Sequence, residues 1–231
     1  MLALEILEHK RMLADFKPPR RGFEPFHKYF SPESSDYSFK PNMKLVFALM
    51  PYLPSKSAKY PSLVLCPMAG VGAAPIMVLS YYRPPHAPTR VITWENDEKW
   101  RKVLEENLKR NSFCEGRWAL QPIEQVPDGA ADAAMACIAP NPDMEKFMPM
   151  VSTLLKTLHS KLVKKSRVII VSRRYEIDLD ETLYTELILE QLVDPKLYNL
   201  LEVATVRGRK PQRRLYNKEA QKDVFLILER K

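Results

Sequence analysis

The 231-residue sequence predicts an α/β fold: a seven-strand, mostly parallel sheet with helices on both faces, its last strand antiparallel. Three observations carry this. From residue 62 onward, strand-like apolar runs alternate with helical patterns, the signature of a parallel sheet buried on both sides. A small-residue turn, AGVG at 69–72, joins the first run to the first helix of that series. The last two runs are separated only by a loop, and so short a connection requires antiparallel neighbours.

Ahead of the sheet, residues 1–16 place Leu4, Ile6, Leu7, Met12 and Leu13 at helical spacing, and Pro18 and Pro19 stop that helix. Residues 17–42 are rich in Pro, Ser and aromatics without periodicity and read as an extended arm. MKLVFALMPYL (43–53) reads as a short helix ending near Pro51 and Pro54. The expected organisation is an N-terminal helix and arm over 1–54 and an α/β domain over 55–231. The expected strands are 62–66, 90–95, 117–121, 132–138, 167–172, 200–206 and 223–229. Trp100, Val103, Leu104, Asn107 and Leu108 mark one helix face over 98–109, and Phe147 to Leu162 mark another over 144–162. Residues 181–192 give a third helical pattern. No internal repeat is visible.

Composition bounds the function. An apolar share of 45% supports a full core. No apolar run approaches a membrane span, so no membrane partner is expected. The three cysteines, Cys66, Cys114 and Cys137, are too scattered for a disulfide framework or a zinc site. They fit an intracellular, reducing compartment, with cytosol and mitochondrial matrix both open. Glu5, Glu8 and Asp15 argue against a presequence still being attached. A net charge of +8 suits a polyanionic partner, with nucleic acid first, though many soluble proteins are basic without one.

The glycine turn is the first chemical signal. Glycines at a strand-to-helix turn let the backbone approach a ligand at the carboxyl ends of the strands. Ala69, Gly70 and Gly72 suit that role, although a tight turn alone would explain them. The second strand ends at Glu95, 23 residues after Gly72, with Asn96 and Asp97 beside it. A carboxylate there offers only acceptors and can take both ribose hydroxyls. The plainer reading is a helix cap; both hold if Asp97 caps while Glu95 binds. Trp94 could stack on an adenine or belong to the core.

At this point the chain resembles a known family. AGVG (69–72), ENDEKWRKVLEENLKRN (95–111), KYFSP (28–32) and VRGRKP (206–211) before DVFLILE resemble segments of class I S-adenosylmethionine-dependent methyltransferases. The likeness is closest to the tRNA guanine methyltransferases and the wybutosine-synthesis transferase. The resemblance implies a Rossmann-like methyltransferase sheet, S-adenosyl-L-methionine as cofactor, and Ala69, Gly70, Gly72, Glu95 and Asn96 as the residues that hold it.

The departures concern chemistry. Arginines that follow Y-F-S-P in the family are replaced by Glu33-Ser34-Ser35-Asp36-Tyr37-Ser38. The acid that ends its first strand is Cys66, and a neutral thiol is no charged acceptor. After the third strand, Pro122 stands near the place of an acid that meets adenine, with Glu124 two residues on. DAAMACIA puts Cys137 and Ala139 where the family has Asn or Asp and then Pro. A shifted APNP offers Asn141 and Pro142 as catalytic candidates, unless Pro142 and Asp143 simply start the next helix.

Basic residues cluster. Lys161, Lys164, Lys165 and Arg167 precede the fifth strand; Arg173 and Arg174 follow it, with Tyr175 adjacent. Arg207, Arg209, Lys210, Arg213, Arg214 and Lys218 fill the last hairpin loop, with Tyr216 among them. Such a loop repels itself without an anion, so Arg173, Arg174, Arg207, Arg209, Lys210, Arg213 and Arg214 are the expected RNA contacts. His9, His27, His86 and His159 suggest no nucleophile or metal site.

Two functions are therefore expected. One is an RNA methyltransferase acting on tRNA or rRNA. The other is a catalytically lapsed methyltransferase fold, cofactor lost, serving a ribosomal ribonucleoprotein or its assembly. In that case the arm docks on ribosomal or assembly-factor proteins, and the mitochondrial ribosome is one setting.

Overall fold

The computed structural model describes residues 26–37, 41, 43, 46, 49–53, 62–82, 89–138, 144–174, 192–207 and 222–231. Side chains at 26–27, 144–145, 173–174, 202–207 and 222–224 are outside that description. The expected helix over 1–16 and nearly all of that over 181–192 also lie outside the described residues.

A helical turn, α1 (Phe26–Tyr29), and a 3-10 turn (Pro32–Asp36) come first. Positions 43, 46 and 49 are helical and a 3-10 turn covers Met50–Tyr52, in line with the short helix expected there. Then follow β1 (Leu63–Pro67), α2 (Ala73–Tyr81), β2 (Arg90–Trp94), α3 (Glu98–Arg110) and β3 (Trp118–Leu120). The chain continues through β4 (Ala131–Cys137), α4 (Met144–Lys161), β5 (Leu162–Arg174), β6 (Tyr198–Arg207) and β7 (Lys222–Arg230).

The seven strands form one sheet in the order β3-β2-β1-β4-β5-β7-β6. β1 is parallel to β2 and β4, β2 to β3, and β4 to β5. β7 runs antiparallel between β5 and β6. This is a Rossmann-like methyltransferase sheet, as the sequence predicts.

Side chains alternate across it with the period of two that a strand imposes. Val64, Cys66, Met135, Cys137, Ile169, Val171, Phe225 and Ile227 share one core with α2, α3 and arm residues Tyr29 and Phe30. Leu65, Ala134, Ala136, Val168, Ile170, Leu226 and Leu228 share the other with α4. Ala73 through Ser80 of α2 are all buried, because that helix is enclosed rather than amphipathic. α3 buries Val103, Leu104, Asn107 and Leu108 and exposes the ion pairs Glu98–Lys102 and Glu105–Lys109.

β5 begins five residues earlier than the expected 167. Ala131 pairs with Leu162 and Ala133 with Arg167, so β5 uses five steps where β4 uses two. The excess is an irregularity at the polar run Lys164-Lys165-Ser166, and Lys165 has a φ of 64°. Of the basic residues here, Lys161 pairs with Asp128 at 2.8 Å and Arg167 with Glu229 at 2.9 Å. They lie toward the amino end of β5, across the sheet from the glycine turn.

Candidate nucleoside site

β1 and β2 are paired in register from Leu63↔Arg90 to Pro67↔Trp94, so their carboxyl ends lie side by side. The Ala69 N–H donates to the Trp94 carbonyl at 3.0 Å, and the Gly72 N–H donates back to Ala69 at 2.8 Å. The glycine turn is thereby tied to the end of β2, where Glu95 follows at once.

Glu95 folds back onto the turn. Its Oε2 accepts the Gly70 N–H at 2.7 Å and its Oε1 accepts the Asp97 N–H at 3.1 Å. A carboxylate has roughly four lone-pair sites, so both oxygens keep capacity for a further donor. The side chain is half-buried. Asp97 is the cap of α3, its Oδ1 accepting the N–H groups of Lys99 at 2.9 Å and Trp100 at 3.3 Å. Asp97 thus takes the capping task, and Glu95 is not used as the cap.

Asn96 is exposed, and its Oδ1 accepts the Trp94 Nε1–H at 3.0 Å. Arg101 lies over the Trp94 ring, 4.6 Å from its centroid, and donates to the Glu95 and Asn96 carbonyls at 3.0 and 3.3 Å. That guanidinium covers one face of the ring.

The two glycines serve different ends. Both have positive φ, 54° at Gly70 and 104° at Gly72, where a side chain is strained. A Cβ on Gly72 would stand 2.9 Å from Leu104 Cδ1, so this glycine admits α3 against the start of α2. A Cβ on Gly70 would stand 2.5 Å from three atoms of the Tyr37 ring, Cε1, Cζ and Oη. The space above Gly70 is filled by the arm.

Two asparagines on α3 set that placement. Asn107, fully buried, accepts the Ser31 N–H through Oδ1 at 2.7 Å. Its Nδ2 donates to Ser34 Oγ at 2.9 Å and to the Val71 carbonyl at 2.8 Å. Asn111 Nδ2 donates to the Tyr29 and Asn107 carbonyls at 2.8 and 2.6 Å. One helix therefore holds the arm and the glycine turn together. Tyr37 ends that held segment, edge-on to Trp100 with centroids 4.9 Å apart. Burial, and next the Glu95 carboxylate, push the Tyr37 phenol well above its ordinary pKa, so it stays neutral.

At the ends of β1 and β4 stand the two thiols. Cys66 and Cys137 face the same core as Tyr37, and both are buried. Burial raises the Cys66 pKa far above the usual thiol range, and Cys137 adds to the rise. Cys66 is therefore no charged acceptor at neutral pH. Pro122 is half-buried and Glu124 is exposed on the 3-10 turn Ile123–Gln125 that follows β3.

The remaining expected contacts sit farther along the same edge. The register sets Arg174 opposite Lys222 and Lys222 opposite Arg207, so three cationic positions form one row at the ends of β5 and β6. Arg173 pairs with Asp223 in the next row. Asn141, Pro142, Tyr175, Arg209, Lys210, Arg213, Arg214, Tyr216 and Lys218 lie outside the described residues. Among the described residues no group of His, Cys, Asp and Glu is arranged to hold a metal, and no helix is long and apolar enough to cross a membrane.

Comparison with known proteins places this geometry. No protein-family model matches the chain, and no curated protein matches it in sequence. Solved structures do match its fold. TrmN from Thermus thermophilus superposes with a TM-score of 0.57 at 16% identity, over 81% of this chain and 48% of that one. TYW2 of P. horikoshii, in complex with MeSAdo, gives 0.52 at 18% identity, over 85% and 65%. The tRNA (m1A58) methyltransferase TrmI from Aquifex aeolicus gives 0.52 at 18% identity, over 90% and 77%. The chain thus spans about half the length of TrmN and 65% of TYW2, and shares with all three the class I methyltransferase fold.

Proposed function

We propose that this chain is an RNA-associated protein on a methyltransferase fold, acting on tRNA or rRNA through a nucleoside site at Glu95. The single observation that carries the reading is the Glu95 carboxylate, fixed by the Gly70 and Asp97 amides at the end of β2 with acceptor capacity left. Ala69, Gly70, Gly72, Glu95 and Asn96 would hold S-adenosylmethionine, which supplies an activated methyl group when bound. The cationic row Arg174–Lys222–Arg207, with Arg173 and the hairpin residues Arg209, Lys210, Arg213 and Arg214, would take the RNA backbone. The net charge of +8 supports that partner. The buried free thiols support a reducing, intracellular setting, cytosol or mitochondrial matrix.

A second reading has its own observation. Buried thiols at Cys66 and Cys137, and a tyrosine over Gly70, are poor surroundings for a charged cofactor tail. They support a lapsed enzyme that keeps the fold as a subunit of a ribosomal ribonucleoprotein or its assembly.

Titration calorimetry with S-adenosylmethionine and S-adenosylhomocysteine, beside Glu95→Ala, separates the two. Micromolar binding, weakened at least tenfold by Glu95→Ala, is the expected result for a working site. Folded protein that ignores both ligands at millimolar concentration removes the methyl-donor role from the first reading and favours the second.

A further inference from the structure

In strand–glycine turn–helix units a nucleoside lies at the carboxyl ends of the strands, its ribose at the acid ending the second strand. The strand order β3-β2-β1-β4 leaves two directions from the ribose. One leads toward β3, the side left to the base. The other leads over the glycine turn toward β1 and β4, the side of the 5′ substituent in such units. This chain has built that second direction differently from the first.

Four observations converge there. The Tyr37 ring stands over Gly70, so close that one added carbon would overlap Cε1, Cζ and Oη at 2.5 Å. Gly70, Val71 and Gly72 are all buried by the chain itself. Tyr37 does not rest there by chance of a loose loop, since Asn107 and Asn111 fix the preceding segment through Tyr29, Ser31 and Ser34. Beyond Tyr37, the strand ends offer two buried thiols, Cys66 and Cys137, in place of an acid for an ammonium group. At the other end Glu95 stays half-buried with acceptors to spare.

We propose that Tyr37 occupies the 5′ end of the site, so that the chain takes a ribonucleoside lacking an amino-acid tail in preference to S-adenosylmethionine. This rests on the reading above that Glu95 marks a ribose site. The ligand class is adenosine or a thioether nucleoside such as 5′-methylthioadenosine, uncharged at the 5′ side. An α-amino acid on the 5′ sulfur would have to displace the phenol ring and set its ammonium group toward two buried thiols. The described carboxylates that act on Tyr37, Glu95 and Asp97, already accept backbone amides, and the thiols add no charge to offset that desolvation.

The test is calorimetric titration of the full chain with adenosine, 5′-methylthioadenosine and S-adenosylhomocysteine. The variants are Tyr37→Phe, Tyr37→Ala and Tyr37→Leu, each checked by its thermal transition. Tyr37→Leu keeps an apolar contact with Trp100 and stands in for Tyr37→Ala should that variant unfold. The expected result is that wild type and Tyr37→Phe bind the two tail-free ligands at least tenfold more tightly than S-adenosylhomocysteine. Shortening the ring should narrow that gap at least tenfold by improving S-adenosylhomocysteine alone. Equal or tighter wild-type binding of S-adenosylhomocysteine, unchanged or weakened on shortening, makes Tyr37 a wall of an intact cofactor site and overturns the proposal while leaving the Glu95 reading in place. Folded protein that binds none of the three, in wild type and in the shortened variants, overturns both.

Discussion

At the end of β2 a half-buried carboxylate accepts two backbone amides and stands beside a capped helix. At the ends of β1 and β4, on the same edge of the same sheet, two thiols lie in the core behind a tyrosine ring. The first region has polar groups with partners and acceptor capacity remaining. The second is buried, lined by two thiols and a tyrosine ring. One edge of a sheet can thus hold a polar corner whose partners must be kept in place and a buried corner that contributes to stability by burial alone.

The hardest test of this contrast is to restore a charge at the thiol end. Cys66→Asp places a carboxylate at a fully buried position with no cation described beside it. A cost of about 3–5 kcal/mol in urea denaturation at pH 7 is expected, the range for an uncompensated buried charge. The sign with pH follows from linkage. Burial raises the folded carboxyl pKa above the unfolded value near ~3.9, so the loss grows as pH rises past that value and shrinks toward it. A variant as stable as wild type at pH 7 would show that the end of β1 is wet, and the contrast between the two regions would collapse.

Next in size is the device that joins the regions. Asn107→Leu keeps the volume in the core but removes partners from the Ser31 N–H, the Ser34 hydroxyl and the Val71 carbonyl. Two of these are buried backbone groups, so a loss of about 2–4 kcal/mol is expected by denaturation. Hydrogen exchange should rise at Ser31, Ser34 and the glycine turn together. A change confined to α3 would mean the arm is held by Tyr29 and Phe30 packing instead.

These experiments bear on what could be read from the sequence and what could not. Strand periodicity, the glycine turn and Glu95 were local signals, each visible within a dozen residues, and the structure places them as expected. β5 was harder: Lys164, Lys165 and Ser166 interrupt the apolar pattern, so the strand was legible only from Arg167 onward. Asn107 was legible as a helix-face position, yet its work joins residues 36 and 76 positions away, at Val71 and Ser31. Tyr37 gave no signal at all. It follows a polar run without periodicity, and its importance depends on a glycine 33 residues later having no side chain. Contacts that arise only when two distant segments meet leave no period to detect.

The smallest effect separates two adjacent acids. Asp97→Ala deletes the oxygen that accepts from Lys99 and Trp100 and should cost about 1 kcal/mol, the usual value of a helix cap. The backbone N–H of residue 97, which holds Glu95 Oε1, is retained in the alanine variant. Adenosine binding should therefore change by less than about twofold, whereas Glu95→Ala should abolish it. If Asp97→Ala instead weakens binding as much as Glu95→Ala does, the two acids act as one site, and the division between capping and binding at the end of β2 is wrong. Equal stability losses with unequal binding losses would leave that division intact, and would show that the Gly70–Glu95 contact contributes to the fold as much as the cap does.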